Sequence, residues 1–270
     1  MTASTGQSEI LVTREADVLR LTLNRPGRGN SLTPGLLAAL SEALAGADNA
    51  RAVVITGAGT SFSSGGDVAA IRQNSDNPDR LRTYCEALVG GLNQALLQIR
   101  ALPCPVIAVV NGPVTGGSLG LMLAADLSVM ARTAFIQPYY AKMGFAPDGG
   151  WTALLPDRIG RARTAGWIAL DTRVSAEEAL EMGLTDRIAD AAALEATLAE
   201  MLGDLEAHDA SVIAASRQLL DRQAGPAGLA DRLEAERLAF LAQIARPETR
   251  VRMDRFLNTS RAARAVGARP

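Results

Sequence analysis

The chain has 270 residues, 48% apolar and 21% charged, enough to bury a substantial core and unlike the composition of a disordered chain. A formal net charge of -2 supplies no long-range field for nucleic acid, and Lys142 is the only lysine, so an anionic ligand must meet arginines or backbone N–H groups. Cys85 and Cys104 are too few for a disulfide framework or metal cluster, residues 1–7 lack an apolar signal core, and every long apolar run is broken; a cytoplasmic protein without metal or membrane span is expected.

In chain order, Glu9 to Thr13 and Val18 to Asn24 alternate as the two strands of a hairpin around Ala16-Asp17. Thr33-Pro34 caps a helix reaching about Ala47, with proline in its first turn. Ala52 to Thr56 has the look of a buried strand. A second unit follows the same logic, with a long amphipathic helix from about Asp79 to Leu102, a strand from Pro105 to Val110 and a helix around Ser118 to Ala125. Short strands are expected at Ser128 to Met130 and Ala134 to Ile136. Strands alternating with helices imply an α/β fold with parallel pairing after the hairpin. From about Asp190 only helical periodicity remains, which divides the chain into a core, 1–190, and a helical region, 191–270.

Two strands run into glycine-rich turns, Ser61-Phe62-Ser63-Ser64-Gly65-Gly66-Asp67 and Asn111-Gly112-Pro113-Val114-Thr115-Gly116-Gly117-Ser118. Glycine allows close approach by a ligand, and an N–H at a helix start lacks an intrahelical partner, so two such groups could form an oxyanion hole. Either turn alone is equally an ordinary surface loop.

Together with Ala-Ala-Asp at 124–126, Gln137-Pro138, Gly149-Gly150 and Ser175-Ala176-Glu177-Glu178-Ala179, these turns resemble the signature segments of the crotonase (enoyl-CoA hydratase/isomerase) superfamily. The resemblance implies a spiral of ββα units with a C-terminal helical trimerisation region, a homotrimer or dimer of trimers, and an acyl-CoA thioester substrate with no further cofactor. It places the oxyanion N–H groups at Gly66 and Gly117, where preorganised donors contribute roughly 2.7–4 kcal/mol each. It also places the two glutamates of the hydratases at Gly120 and Tyr139, and neither is present here. Hydration is therefore in doubt, and the closest resemblance is to 1,2-epoxyphenylacetyl-CoA isomerase-like members, where an aspartate matching Asp148 serves as a single base. Enoyl-CoA hydration, thioester hydrolysis, dehalogenation and a non-catalytic CoA-binding role stay open as alternatives.

Read locally, Asp148 before Gly149-Gly150 is also a helix N-cap. Arg28, Ser64, Asp67, Gly120, Tyr139 and Tyr140 complete the expected substrate contacts, with Arg28 facing phosphate, the two tyrosines as pocket walls and a region like Phe256 to Arg261 reaching a neighbour's CoA. Gly116-Gly117-Ser118-Leu119-Gly120 formally fits a serine-hydrolase elbow with Asp148 and His208 behind it. The strand breaks well before Ser118, however, and His208 between Glu206 and Asp209 reads as solvated. The dinucleotide reading of Gly57-Ala58-Gly59 lacks its third glycine, and the arginine-rich stretch 246–270 reads as a solvated helix end or trimer contact rather than an RNA surface.

Overall fold

The alternating opening forms the expected hairpin, β1 (Ile10–Glu15) against β2 (Val18–Leu23), with Leu19, Leu21 and Leu23 turned into the core and Ala16 at φ 49° in the turn. The computed structural model describes residues 8–222 and 228–265. After α1 (Pro34–Ala45), capped by the Thr33 side chain accepting from the Leu36 N–H, the chain returns as β3 (Ala52–Gly57). Every residue of β3 is buried, as expected for a strand covered on both faces. A short helix that the sequence reading missed, α2 (Val68–Asn74), precedes α3 (Pro78–Ala101), and β4 (Val106–Val110) follows.

A two-residue strand, β5 (Val114–Thr115), a 3-10 turn over Gly116–Ser118 and α4 (Leu119–Ala124) lead to β6 (Leu127–Ala131) and β7 (Phe135–Gln137). Then come α5 (Tyr140–Met143), α6 (Leu155–Ile159), α7 (Arg161–Leu170), β8 (Val174–Ser175), α8 (Ala176–Glu181) and β9 (Arg187–Ala189). The main sheet runs β1-β2-β3-β4-β6-β9, parallel after the first pair, and β5-β7-β8 form a small second sheet. The observed architecture is α/β, a mainly parallel sheet with helices packed on it and a helical C-terminal region, as the resemblance implies.

Among the described residues, four helices follow: α9 (Leu194–Glu206), α10 (Ala210–Arg222), α11 (Leu229–Ile244) and α12 (Pro247–Ala265). They return over the core. Arg217 on α10 is buried, binds Asp126 at 2.6 Å and donates to the Ile99, Leu102 and Cys104 carbonyls, which fixes the end of α3 and gives the Ala-Ala-Asp motif a structural task. The α11 helix packs along α3, and α12 against α2 and α5. Phe256, expected near a neighbour's ligand, packs edge-on against Tyr139 of its own chain, with ring centroids 5.6 Å apart. The Arg261 side chain lies outside the described residues.

Candidate active site

The long helix α3 makes the floor of the site. Its apolar positions 88, 92 and 96 recur once per helical turn, so their side chains stand in a row. Leu88 underlies Gly66, Leu92 underlies Gly117 and Leu96 underlies Gly120, each within 3.4 Å of where a Cβ would stand. The two glycine-rich turns lie across this row and are tied together. Ser63 donates its N–H to the Pro113 carbonyl, and its own carbonyl accepts from the Thr115 N–H, both at 3.1 Å. On either side of Gly66, Leu32 donates to the Gly65 carbonyl and accepts from the Asp67 N–H. Gly66 and Gly117 both line a cavity of about 510 Å³ that Asp148 also lines.

Asp148 is 8% exposed and sits against the second turn, where a Cβ on Gly117 would be 2.8 Å from its Oδ1. The N-cap reading of this residue is not what the fold uses. Residues 151–154 form turns rather than a helix, and the Asp148 carboxyl accepts instead from the Tyr140 hydroxyl at 2.6 Å. That hydroxyl also reaches the Asp148 carbonyl at 2.9 Å. Tyr140 is therefore more than a wall: it lines the cavity and holds the carboxyl. Trp151, fully buried behind it, donates its indole N–H to the Gly116 carbonyl at 2.8 Å, so one segment supports both the carboxylate and the glycine turn.

Burial pushes the Asp148 carboxyl up to about 7; the Tyr140 hydrogen bond opposes that rise and the negative charge of Glu236 adds to it. Burial likewise pushes the neighbouring Cys85 thiol up to about 12, with the Asp148 charge adding to it. A carboxyl near neutrality can hold or release a proton under ordinary conditions, which is what a proton-shuttling group needs.

The other expected residues divide by position. Arg28, exposed at the cavity mouth, stands 3.6 Å from Asp67, which Arg25 approaches at 3.2 Å. Burial works against the charge of Asp67, but the Ala70 N–H and the Arg28 and Arg25 guanidiniums hold its carboxyl below the ordinary value. Asp67 thus caps α2 and anchors the mouth. Ser64 is exposed on the cavity rim, and Tyr139 lines the cavity at φ 62°, its N–H bound by the Asp171 carboxyl at 2.6 Å.

Gly120 does not line the cavity, and the absent glutamate leaves no hole there. A Cβ on Gly120 would collide with the Gly149 carbonyl oxygen, and one on Gly149, at φ 61°, would collide with the Gly117 carbonyl. The backbone after Asp148 fills that space. The hydrolase arrangement is absent as well: the fully buried Ser118 hydroxyl is bonded to the Thr115 and Ser63 carbonyls at 2.8 and 3.0 Å, and His208 is exposed.

Residues of α11 and α12 were not expected here. Phe240, Phe256 and Leu257 line the cavity, and Phe145 packs on Phe240 with centroids 5.1 Å apart. Glu236, one turn before Phe240, is 3% exposed and binds the segment following Asp148. The signal for it was its place on the apolar stripe Leu233, Phe240, Ile244.

With the geometry in view, the chain can be set beside known proteins. The sequence pattern of the family described as enoyl-CoA hydratase/isomerase matches residues 13–263. A probable enoyl-CoA hydratase, echA12 of Mycobacterium bovis, is 41% identical over 177 residues, 63% of this chain and 62% of that one. The 1,2-epoxyphenylacetyl-CoA isomerase of Escherichia coli K12 is 36% identical over 179 residues, 65% of this chain and 68% of that one. Among solved structures, an enoyl-CoA hydratase from Bacillus halodurans superposes with a TM-score of 0.84 at 26% identity, covering 92% of this chain and 99% of that one. Among the described residues, no helix is long and apolar enough to cross a membrane.

Proposed function

The chain belongs to the enoyl-CoA hydratase/isomerase family, and on that premise we propose that it isomerises an acyl-CoA thioester, of the enoyl or ring-epoxide/oxepin type, with Asp148 as its single base. The observation that carries this reading is a buried carboxyl lining the cavity, hydrogen-bonded by Tyr140, lying against Gly117 and pushed up to about 7.

The thioester carbonyl oxygen rests on the Gly66 and Gly117 N–H groups. Asp148 takes a proton from a carbon next to the carbonyl or conjugated with it, and the electron pair released from the C–H bond moves onto the carbonyl oxygen as an enolate. The donors oppose that charge where it develops, which lowers the barrier more than it tightens ground-state binding. The protonated Asp148 then returns the proton to a different carbon, and the carbonyl re-forms. One carboxyl near neutrality serves in both directions.

Hydration is the second reading, because relatives with higher identity bear hydratase names. It needs a second acid–base group beside a water, and position 120 carries no side chain, abuts the Gly149 carbonyl and does not line the cavity. The deciding experiment incubates the protein with 3-enoyl-, ring-epoxide- and 2-enoyl-CoA thioesters in deuterated water. Deuterium incorporation with double-bond or ring shift is the expected result. Rapid formation of a 3-hydroxyacyl-CoA from the 2-enoyl substrate, its new C2 hydrogen drawn from solvent, with no double-bond or ring shift in the other two thioesters, would replace this reading by hydration. Assembly as a homotrimer or dimer of trimers belongs to the same proposal, supported by exposed apolar residues on the last helices such as Leu219, Leu220 and Leu238, and sedimentation checks it.

A further inference from the structure

Glu236 is a buried acid that the proposed reaction does not use. Its carboxylate meets four donors: the Gly150 N–H at 2.8 Å on Oε2, and the Thr152 N–H, Thr152 hydroxyl and Ala153 N–H at 2.6, 2.7 and 2.9 Å on Oε1. All four partners approach as donors and favour the carboxylate, opposing the burial that pushes this acid up. The donors begin two residues after Asp148, across Gly149 and Gly150, both at positive φ. Such a turn exposes successive N–H groups that a carboxylate gathers from one side.

We infer that Glu236 is a positioning residue for the Asp148 base, an anion supplied by α11 that folds the 149–153 segment into the shape presenting the Asp148 carboxyl to the acyl cavity. The inference rests on the reading of Asp148 as base. The same helix carries Phe240 one turn on, in the cavity wall, so α11 sets the base and the acyl pocket as one piece. Among the described residues, three titratable groups face Asp148: Cys85 from α3, Tyr140 from α5 and Glu236 from α11. Burial keeps Cys85 a neutral thiol and Tyr140 a neutral phenol, and the phenol's hydrogen bond favours the carboxylate. The Glu236 charge favours the protonated acid.

The test uses the full chain and follows exchange of the substrate's acidic proton with deuterated solvent. Glu236→Gln removes the charge and turns an amide N–H toward one of the four donors. The midpoint of its pH–rate profile should move down by roughly one unit. Its kcat should fall about ten-fold, with KM changed less than about three-fold, since the lost term acts on the reacting group and not on ground-state binding. Glu236→Asp keeps the charge and shortens the reach; the midpoint should stay while kcat falls, and this variant carries the test if the glutamine form does not fold. A purely structural Glu236 would lower thermal stability and leave kcat and midpoint per folded molecule at wild-type values, which overturns the inference. Asp148→Asn is measured alongside. Activity retained in that variant would remove the base reading itself, whereas activity lost there and normal in both Glu236 variants would remove this inference alone.

Discussion

The cavity wall made by residues 61–67 and 112–117 is backbone, held by hydrogen bonds between the two turns and by the row of leucines on α3. The facing wall, residues 139–153, depends on side chains from several helices, and its functional group is a carboxyl whose proton affinity those helices set. Backbone donors do not titrate and belong to no side chain, so the electrostatic character of the first wall does not vary with pH. The second can be retuned by a single substitution. A site that stabilises an enolate and also moves a proton needs one wall of each kind.

That contrast can be broken most severely at Asp148. Asp148→Asn should lower isomerisation and solvent exchange by roughly 10²–10⁴-fold, the contribution of a positioned acid–base group. Its stability should change with the opposite sign. The folded carboxyl, raised to about 7, keeps a proton that the unfolded chain releases near 4, so the stabilisation present at low pH is lost as pH climbs through that window. At pH 8 the asparagine variant should be the more stable by roughly 2–4 kcal/mol, with the difference vanishing toward pH 4, as thermal melts across pH will show.

Gly117→Ala strikes both walls, since the added methyl meets the Asp148 carboxyl oxygen at 2.8 Å and Leu92 at 3.0 Å. Displacing one donor should cost roughly 10²–10³-fold in kcat, read by steady-state kinetics, with a smaller effect on KM. Tyr140→Phe sharpens the comparison by altering only the second wall. Without its hydrogen bond the Asp148 carboxyl should rise further, moving the profile up by roughly one unit, opposite to the shift expected of Glu236→Gln. The smallest effect belongs to Arg28→Ala at the exposed mouth. Loss of a solvated charge there should raise KM for a CoA thioester by a few-fold, about 0.2–1 kcal/mol, and leave kcat and the profile alone.

The two walls also differ in how far sequence reveals them. The hairpin, the buried β3 and β4 and the paired glycines are local signals: alternation, unbroken apolar runs and residues that suit exposed N–H groups. Strands of two residues such as β5 and β8, and helices of four or five such as α5 and α6, are too short to show a period, and they were missed. Asp148 itself was visible, but whether it caps or reacts is decided by Tyr140 eight residues before it and by Glu236 on a helix far along the chain. Nothing in Pro147-Asp148-Gly149-Gly150 encodes those neighbours. The role of α11 and α12 in the cavity was hidden for the same reason: Phe240 reads as an ordinary member of an apolar helix face, and Phe256 was expected at a neighbour's CoA rather than in the cavity of its own chain.

The contact between Gly120 and the Gly149 carbonyl makes the two ways of bringing a carboxylate to this chamber mutually exclusive. A side chain reaching in from α4 and an aspartate arriving on the 148–150 loop would claim the same volume. Installing a glutamate at position 120 would therefore push against the Gly149 backbone and shift the loop that carries Asp148.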